Sequence, residues 1–197
     1  VGAHNEVSAA YVKYGGRFLR GLVGYGDNKI TYNADTDTFS VASGYENHPV
    51  GCVSWYGAVM FCNWLTCMRD GNALNVVYAS IDTTWKNTET VENIAKSGYR
   101  LPSSMEFEYA ARYRGSDSTN TVTGYSDPYL TKGDSASGAT ANVDDTTATS
   151  LVVVYGSGPA AVKSKSANNL GLYDMSGNVC EWCYGFVIVD GEPETWC

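Results

Sequence analysis

Within GLYDMSGNVCEW (residues 171–182), Asp174, Gly177 and Glu181 place two carboxylates on either side of a glycine turn. A hard cation such as Ca²⁺ takes about six to eight oxygens from carboxylates, amides and backbone carbonyls. Two acids around a turn that aims carbonyls inward suit that demand. The alternative is that Asp174 and Glu181 cap turns or pair with Arg100 or Arg112. Cys180 and Cys183 have the CxxC spacing of zinc ligands, but no second CxxC or histidine pair follows. With Cys52, Cys62, Cys67 and Cys197 they make six cysteines, an even count compatible with disulfides. His4 and His48 are the only histidines and read as exposed loop residues, which leaves little for a His-based site.

No other set of side chains points to catalysis. Ser54, Ser103 and Ser104 suit helix caps better than nucleophiles. Glu106 and Glu108 fit a helix start and a surface pair. Glycoside hydrolysis needs two carboxylates at a set separation, which sequence does not supply. Trp55, Trp64 and Trp182 read as core rather than as a sugar-stacking platform.

Two helices must position these residues. After Ser54, WYGAVMFCNWLTCM puts Trp55, Val59, Cys62 and Leu65 on one face. In RLPSSMEFEYAARYRG, Ser103 and Glu106 have capping-box spacing. Phe107, Ala110 and Ala111 form the inner stripe of that second helix. Glu108 and Arg112 pair outside at i, i+4, and Gly115 ends the helix. Residues 30–41 read as a hairpin around an Asn-Ala-Asp-Thr turn, and LVVVYG (151–156) as a strand. The polar stretches 71–98 and 115–149 read as long loops.

The 197 residues suit one domain, and 44% apolar with 17% charged residues suits a folded chain. A net charge of −8 without any basic run argues against nucleic acid and anionic membrane surfaces as partners. No apolar run is long enough for a membrane span. A start at Val1, with neither Met nor signal peptide, reads as a processed or trimmed form. The Tyr-, Gly-, Thr-, Ser- and Asn-rich mixture leans towards an exported bacterial protein, extracellular, on the cell surface or periplasmic.

Four blocks in order carry a resemblance: HPVGCVSWYGAVMFCNWL (48–65), GYRLPSSMEFEYAARYRG (98–115), NNLGLYDMSGNV (168–179) and the CEW that follows. They resemble the formylglycine-generating enzyme, or sulfatase-modifying factor, domain family over about residues 44–184, with 71–98 and 115–149 as insertions. The resemblance implies an α+β fold of the irregular C-type-lectin-like kind. Two helices would lie against small twisted antiparallel sheets, with many loops, in a single domain spanning 1–197. It also implies calcium, held by the side chains of Asp174 and Glu181 and the backbone of Gly177 and Val179. A second family site would begin at Asn142 and Val143, without a clear acidic partner.

Catalytic members of the family oxidise a substrate cysteine with oxygen and copper, held by two thiolates near RGGSW-like and GFR motifs. Neither motif occurs in this sequence, so no catalytic residue is expected; the alternatives to a binding module are a subunit of an extracellular assembly and an oxidase fragment lacking its catalytic C-terminal cysteines. In some members the position of Cys62 is bridged to a C-terminal cysteine, which makes Cys62–Cys197 or Cys62–Cys183 conceivable. A small buried apolar role for Cys62 is the other reading. The blocks look most similar to non-catalytic bacterial surface members such as the variable proteins of diversity-generating retroelements. The expected function is therefore an exported binding or structural module. It would engage a protein ligand or a self-assembly partner, since the Glu-Pro-Asn and Gln-Pro-Asp triplets of sugar-binding lectins are absent.

Overall fold

The helix expected after Ser54 spans Trp55–Asp70 (α1). In this computed structural model, residues 29–33, 35–36, 38–51, 53, 55–79, 91–115, 129–131, 135–140, 142, 144–156, 158–189 and 192–196 are described. Ser54 and His4 lie outside them. The chain divides into two compact units, one of Val1–Ala42 and Val50–Leu101, the other of Ser43–Pro49 and Pro102–Cys197.

In the first unit, α1 buries Val59, Cys62 and Thr66, while Trp55 and Leu65 are only half-buried. The buried stripe thus runs through a threonine that the apolar pattern passes over. Thr66 is tolerated because its hydroxyl is fully used: it donates to the Cys62 carbonyl (3.0 Å) and accepts from the Tyr99 amide (2.8 Å). Asn63 ties the helix to the next strand by donating to the Tyr78 carbonyl (2.8 Å) and accepting from its amide (3.2 Å). At the helix end, Arg69 and Asn75 both donate to Asp70 and hold its carboxyl at a pKa of about 2.

The expected hairpin is present as β1 (Ile30–Asn33) and β2 (Thr38–Val41), antiparallel with Ile30 opposite Val41. The Asn33 side chain shapes its turn by accepting from the Asp35 amide (2.9 Å). Stretch 71–98 is not all loop: β3 (Tyr78–Ala79) pairs antiparallel with β4 (Val91–Glu92).

In the second unit, α2 (Ser104–Arg112) starts with the expected capping box. The Glu106 amide donates to Ser103 Oγ (3.2 Å), and the Ser103 amide donates back to Glu106 Oε2 (2.8 Å). Phe107, Ala110 and Ala111 are half-buried, and Arg112 pairs with Glu108. The helix stops three residues before Gly115. Tyr113 turns extended and bridges Leu130, with the Arg114 amide donating to the Tyr129 carbonyl (2.8 Å), so a strand-like pairing displaces the next helical turn.

The strand expected at 151–156 is corrected. Leu151 and Val152 complete a helix, α3 (Thr146–Val152), whose start is set by Asp145 accepting from the Ala148 amide (2.9 Å). That cap overrides the β-propensity of the valines, and only Val154 makes a bridge, parallel to Gly177. The tail forms an antiparallel hairpin of β5 (Trp182–Val189) and β6 (Glu192–Trp196). The apolar run FVIV before Asp190-Gly191 is its sequence signal. β5 is joined to the start of α2 by the Tyr184 amide donating to the Pro102 carbonyl (2.7 Å). Trp55, Trp64 and Trp182 are half-buried. No helix among the described residues is long and apolar enough to cross a membrane.

Candidate functional site

The segment 168–181 is folded by side chains that the sequence did not mark. Asn168, 7% exposed, donates to the Ala110 carbonyl (2.8 Å) and Ser137 Oγ (3.1 Å). Its Oδ1 accepts from the amides of Leu170 (2.9 Å) and Leu172 (3.1 Å). Ser176 Oγ accepts from the Ser137 amide (3.0 Å), closing the loop against the end of α2. Residue type alone did not single it out, because Asn168 stands beside Asn169 at the end of the polar run KSKSANN (163–169).

On this frame the acids come together. Asp174 lies at φ 58°, and its Oδ2 accepts from the Lys163 amide (2.9 Å). Its Oδ1 is buried without a hydrogen-bond partner. Glu181 is an exposed residue, yet its carboxyl pKa is raised, first by desolvation and then by the negative charge of Asp174. Arg112, one alternative partner for these acids, goes to Glu108 and to the Thr131 carbonyl (2.9 Å). Arg100 donates to the Leu101 carbonyl (3.1 Å).

Asp174, Asn178, Val179 and Glu181 form a ridge shared by two open clefts. One, about 440 Å³, is lined also by Phe107, Val154, Tyr155, Met175, Gly177 and Cys180. The other, about 390 Å³, adds Val162, Lys163, Leu172 and Tyr173. The donor set fits a hard cation: one orphaned buried carboxylate oxygen, a second carboxylate repelled by the first, and a glycine turn beside them. Among the described residues no third acid, histidine or cysteine joins them, so carbonyls must complete any such site.

Asp174, Gly177, Val179 and Glu181 are therefore brought together. Asn142 lines neither cleft; it is exposed, and its Oδ1 accepts from the Asp144 amide (3.1 Å) in the turn before α3. Val143 lies outside the described residues. His48 is half-buried rather than exposed, and its ring packs on Tyr45 at 4.8 Å between centroids.

The cysteines decide between the alternatives left open by the sequence. Cys62 is free and buried, and burial pushes its thiol pKa up to about 11, so neither a Cys62–Cys183 nor a Cys62–Cys197 bridge is present. It acts as a small apolar side chain. Cys183 is fully buried and disulfide-bonded to a partner outside the described residues. The Cys180–Cys183 spacing therefore cannot supply a thiolate pair for zinc or copper. Cys180 is free and exposed. Alkylation of the native protein should label Cys180 rapidly and reach Cys62 only after unfolding, as peptide mass mapping of timed samples will show. Equal native rates would contradict the burial of Cys62.

Residues 9–187 match the model of the sulfatase-modifying factor enzyme 1-like domain. The chain is 32% identical over 176 residues to the chaperone protein LppX of Paenibacillus barcinonensis, covering 77% of this chain and 57% of that protein. It is 26% identical over 189 residues to the serine/threonine-protein kinase pkn1 of Chlamydia caviae, covering 92% of this chain but only 22% of the kinase. The chain thus spans less than two thirds of these curated relatives. Treponema denticola variable protein 1 superposes with a TM-score of 0.52 at 25% identity, covering 89% of this chain and 61% of that one. CarF superposes with a TM-score of 0.52 at 27% identity, covering 95% and 66%. These likenesses agree with the α+β, C-type-lectin-like architecture expected from the four sequence blocks. This chain belongs to the sulfatase-modifying factor enzyme 1-like domain family.

Proposed function

We propose that the chain is a non-catalytic binding module of the cell envelope. It takes apolar segments of protein partners in the two clefts beside the Asp174–Glu181 ridge, with Ca²⁺ at the ridge as a structural ion. The observation that carries this reading is the pairing of the clefts, each lined by aliphatic and aromatic side chains beside the shared acids, with exposed Tyr155, Leu172 and Tyr173 at their walls. Tyrosines of this kind supply contact area at low entropic cost. The likeness to a protein named as a chaperone supports a protein ligand. The disulfide at Cys183 supports an oxidising compartment outside the cytoplasm. It also removes that sulfur from any thiolate couple for copper, which supports a role without oxidase chemistry.

At the ridge, Asp174 Oδ1 and Glu181 would hold the ion, with the carbonyls of Gly177 and Val179. Calcium would neutralise the two charges that otherwise repel. EGTA should lower the Tm and added Ca²⁺ restore it. Glu181→Gln should raise the Tm in EGTA, by removing the repulsion, and lose the calcium response; an unchanged response would sink the calcium reading.

The binding role is tested with an array of apolar peptides. Micromolar binding is expected, weakened about tenfold or more by the double change Tyr155→Ser and Tyr173→Ser. Oxygen uptake with a cysteine-containing peptide and Cu(I) would make the chain an oxidase instead. Oligomers that the same double change dissociates would point to self-assembly.

A further inference from the structure

We infer that segment 158–163 is a brace for the cation ridge, with Lys163 and Asn178 as its positioning residues. This rests on the reading of Asp174 and Glu181 as ligands, and it adds what sets their geometry. Among the described residues, the non-glycine positions with positive φ are Lys163 (60°), Asp174 (58°) and Asn178 (64°). Side-chain-bearing residues avoid that region unless their surroundings enforce it. All three line the same cleft.

Two hydrogen bonds tie segment 158–163 to Asp174 and Asn178. The Lys163 amide donates to Asp174 Oδ2 (2.9 Å), and the Ala160 amide donates to Asn178 Oδ1 (2.9 Å). The first bond divides the work of one carboxylate: Oδ2 is tethered to backbone, and Oδ1 is left buried and unpartnered. Asp174 is thereby presented as a one-oxygen ligand. The second bond acts on the backbone between Gly177 and Val179. Holding Asn178 in the left-handed region sets the angle between the peptide units on either side of it, and so the aim of the carbonyls proposed as ligands. Lys163 also keeps its ammonium over the Tyr173 ring, 5.3 Å from the centroid. Cation binding and order in 158–163 are then coupled, and the coupling is reciprocal.

The test uses the full chain and Ca²⁺ alone. Asn178→Gly keeps the positive φ without strain but deletes the acceptor for Ala160, whereas Asn178→Asp keeps an acceptor. Calorimetry should show Asn178→Gly binding Ca²⁺ about tenfold or more weakly, and Asn178→Asp binding at least as well as the parent. Hydrogen exchange should show Ca²⁺ slowing the Ala160 and Lys163 amides about tenfold. Parent-like affinity in Asn178→Gly, or no calcium effect on either amide, overturns the brace while leaving the ion site standing. An affinity loss in Asn178→Asp as large as that in Asn178→Gly makes Asn178 merely structural and also overturns it. A parent that binds no Ca²⁺ overturns both the brace and the site.

Discussion

Gly177→Ala is expected to lower the unfolding free energy by about 2–4 kcal/mol and to abolish the calcium response. Two costs combine at this position. The backbone has φ 84°, where a Cβ is strained. That Cβ would also lie 2.3 Å from the Val154 carbonyl oxygen and 3.2 Å from its carbon, backbone atoms that cannot swing aside. The collision falls on the bridge that joins Val154 to the turn, where the Asn178 amide donates to the same oxygen (3.0 Å). Gly171→Ala is the matched control. Its φ is 75°, but a Cβ there meets nothing within 4 Å, so the cost should be only about 1–2 kcal/mol. Urea unfolding of the two variants separates strain from collision. Equal losses would remove the Val154 contact as the cause.

Asn168→Ala is expected to cost about 3–5 kcal/mol, again by urea unfolding. Four hydrogen bonds go at once, leaving the part-buried Ala110 carbonyl, the buried Ser137 hydroxyl and the Leu170 and Leu172 amides without this partner. The 168–172 loop would come away from the end of α2, carrying the Asp174 turn with it. Asn168→Asp keeps an acceptor for Leu170 and Leu172 but loses the donor to the Ala110 carbonyl, so it should still cost more than a surface change. A loss under about 1 kcal/mol in Asn168→Ala would mean that the loop is held by something else.

The two variants show where sequence is legible and where it is not. The capping box at Ser103 and Glu106 is readable because both partners are three residues apart and the helix end needs them. The 30–41 hairpin is readable for the same reason, its register being set by a short turn. The strand expected at 151–156 fails because local β-propensity favours it while Asp145, upstream in a polar stretch, has already started a helix. Gly115 is the natural helix end by residue type, but pairing of Tyr113 with Leu130, distant in sequence, ends the helix sooner.

At the site, the sequence by itself determined the residue types: two acids and a glycine turn within eight residues, close enough that any fold of the segment keeps them near one another. It also determined the family, through four motifs in order. Tertiary structure alone decided the rest. It left Asp174 Oδ1 buried and unpartnered, gave Oδ2 to the Lys163 amide eleven residues away, and set the turn between two clefts. It also used Cys183 in a disulfide and left Cys62 free. The physical reason is range. Spacing along the chain fixes contacts within a turn, whereas burial, charge repulsion and sulfur pairing depend on segments that meet only after the chain has packed.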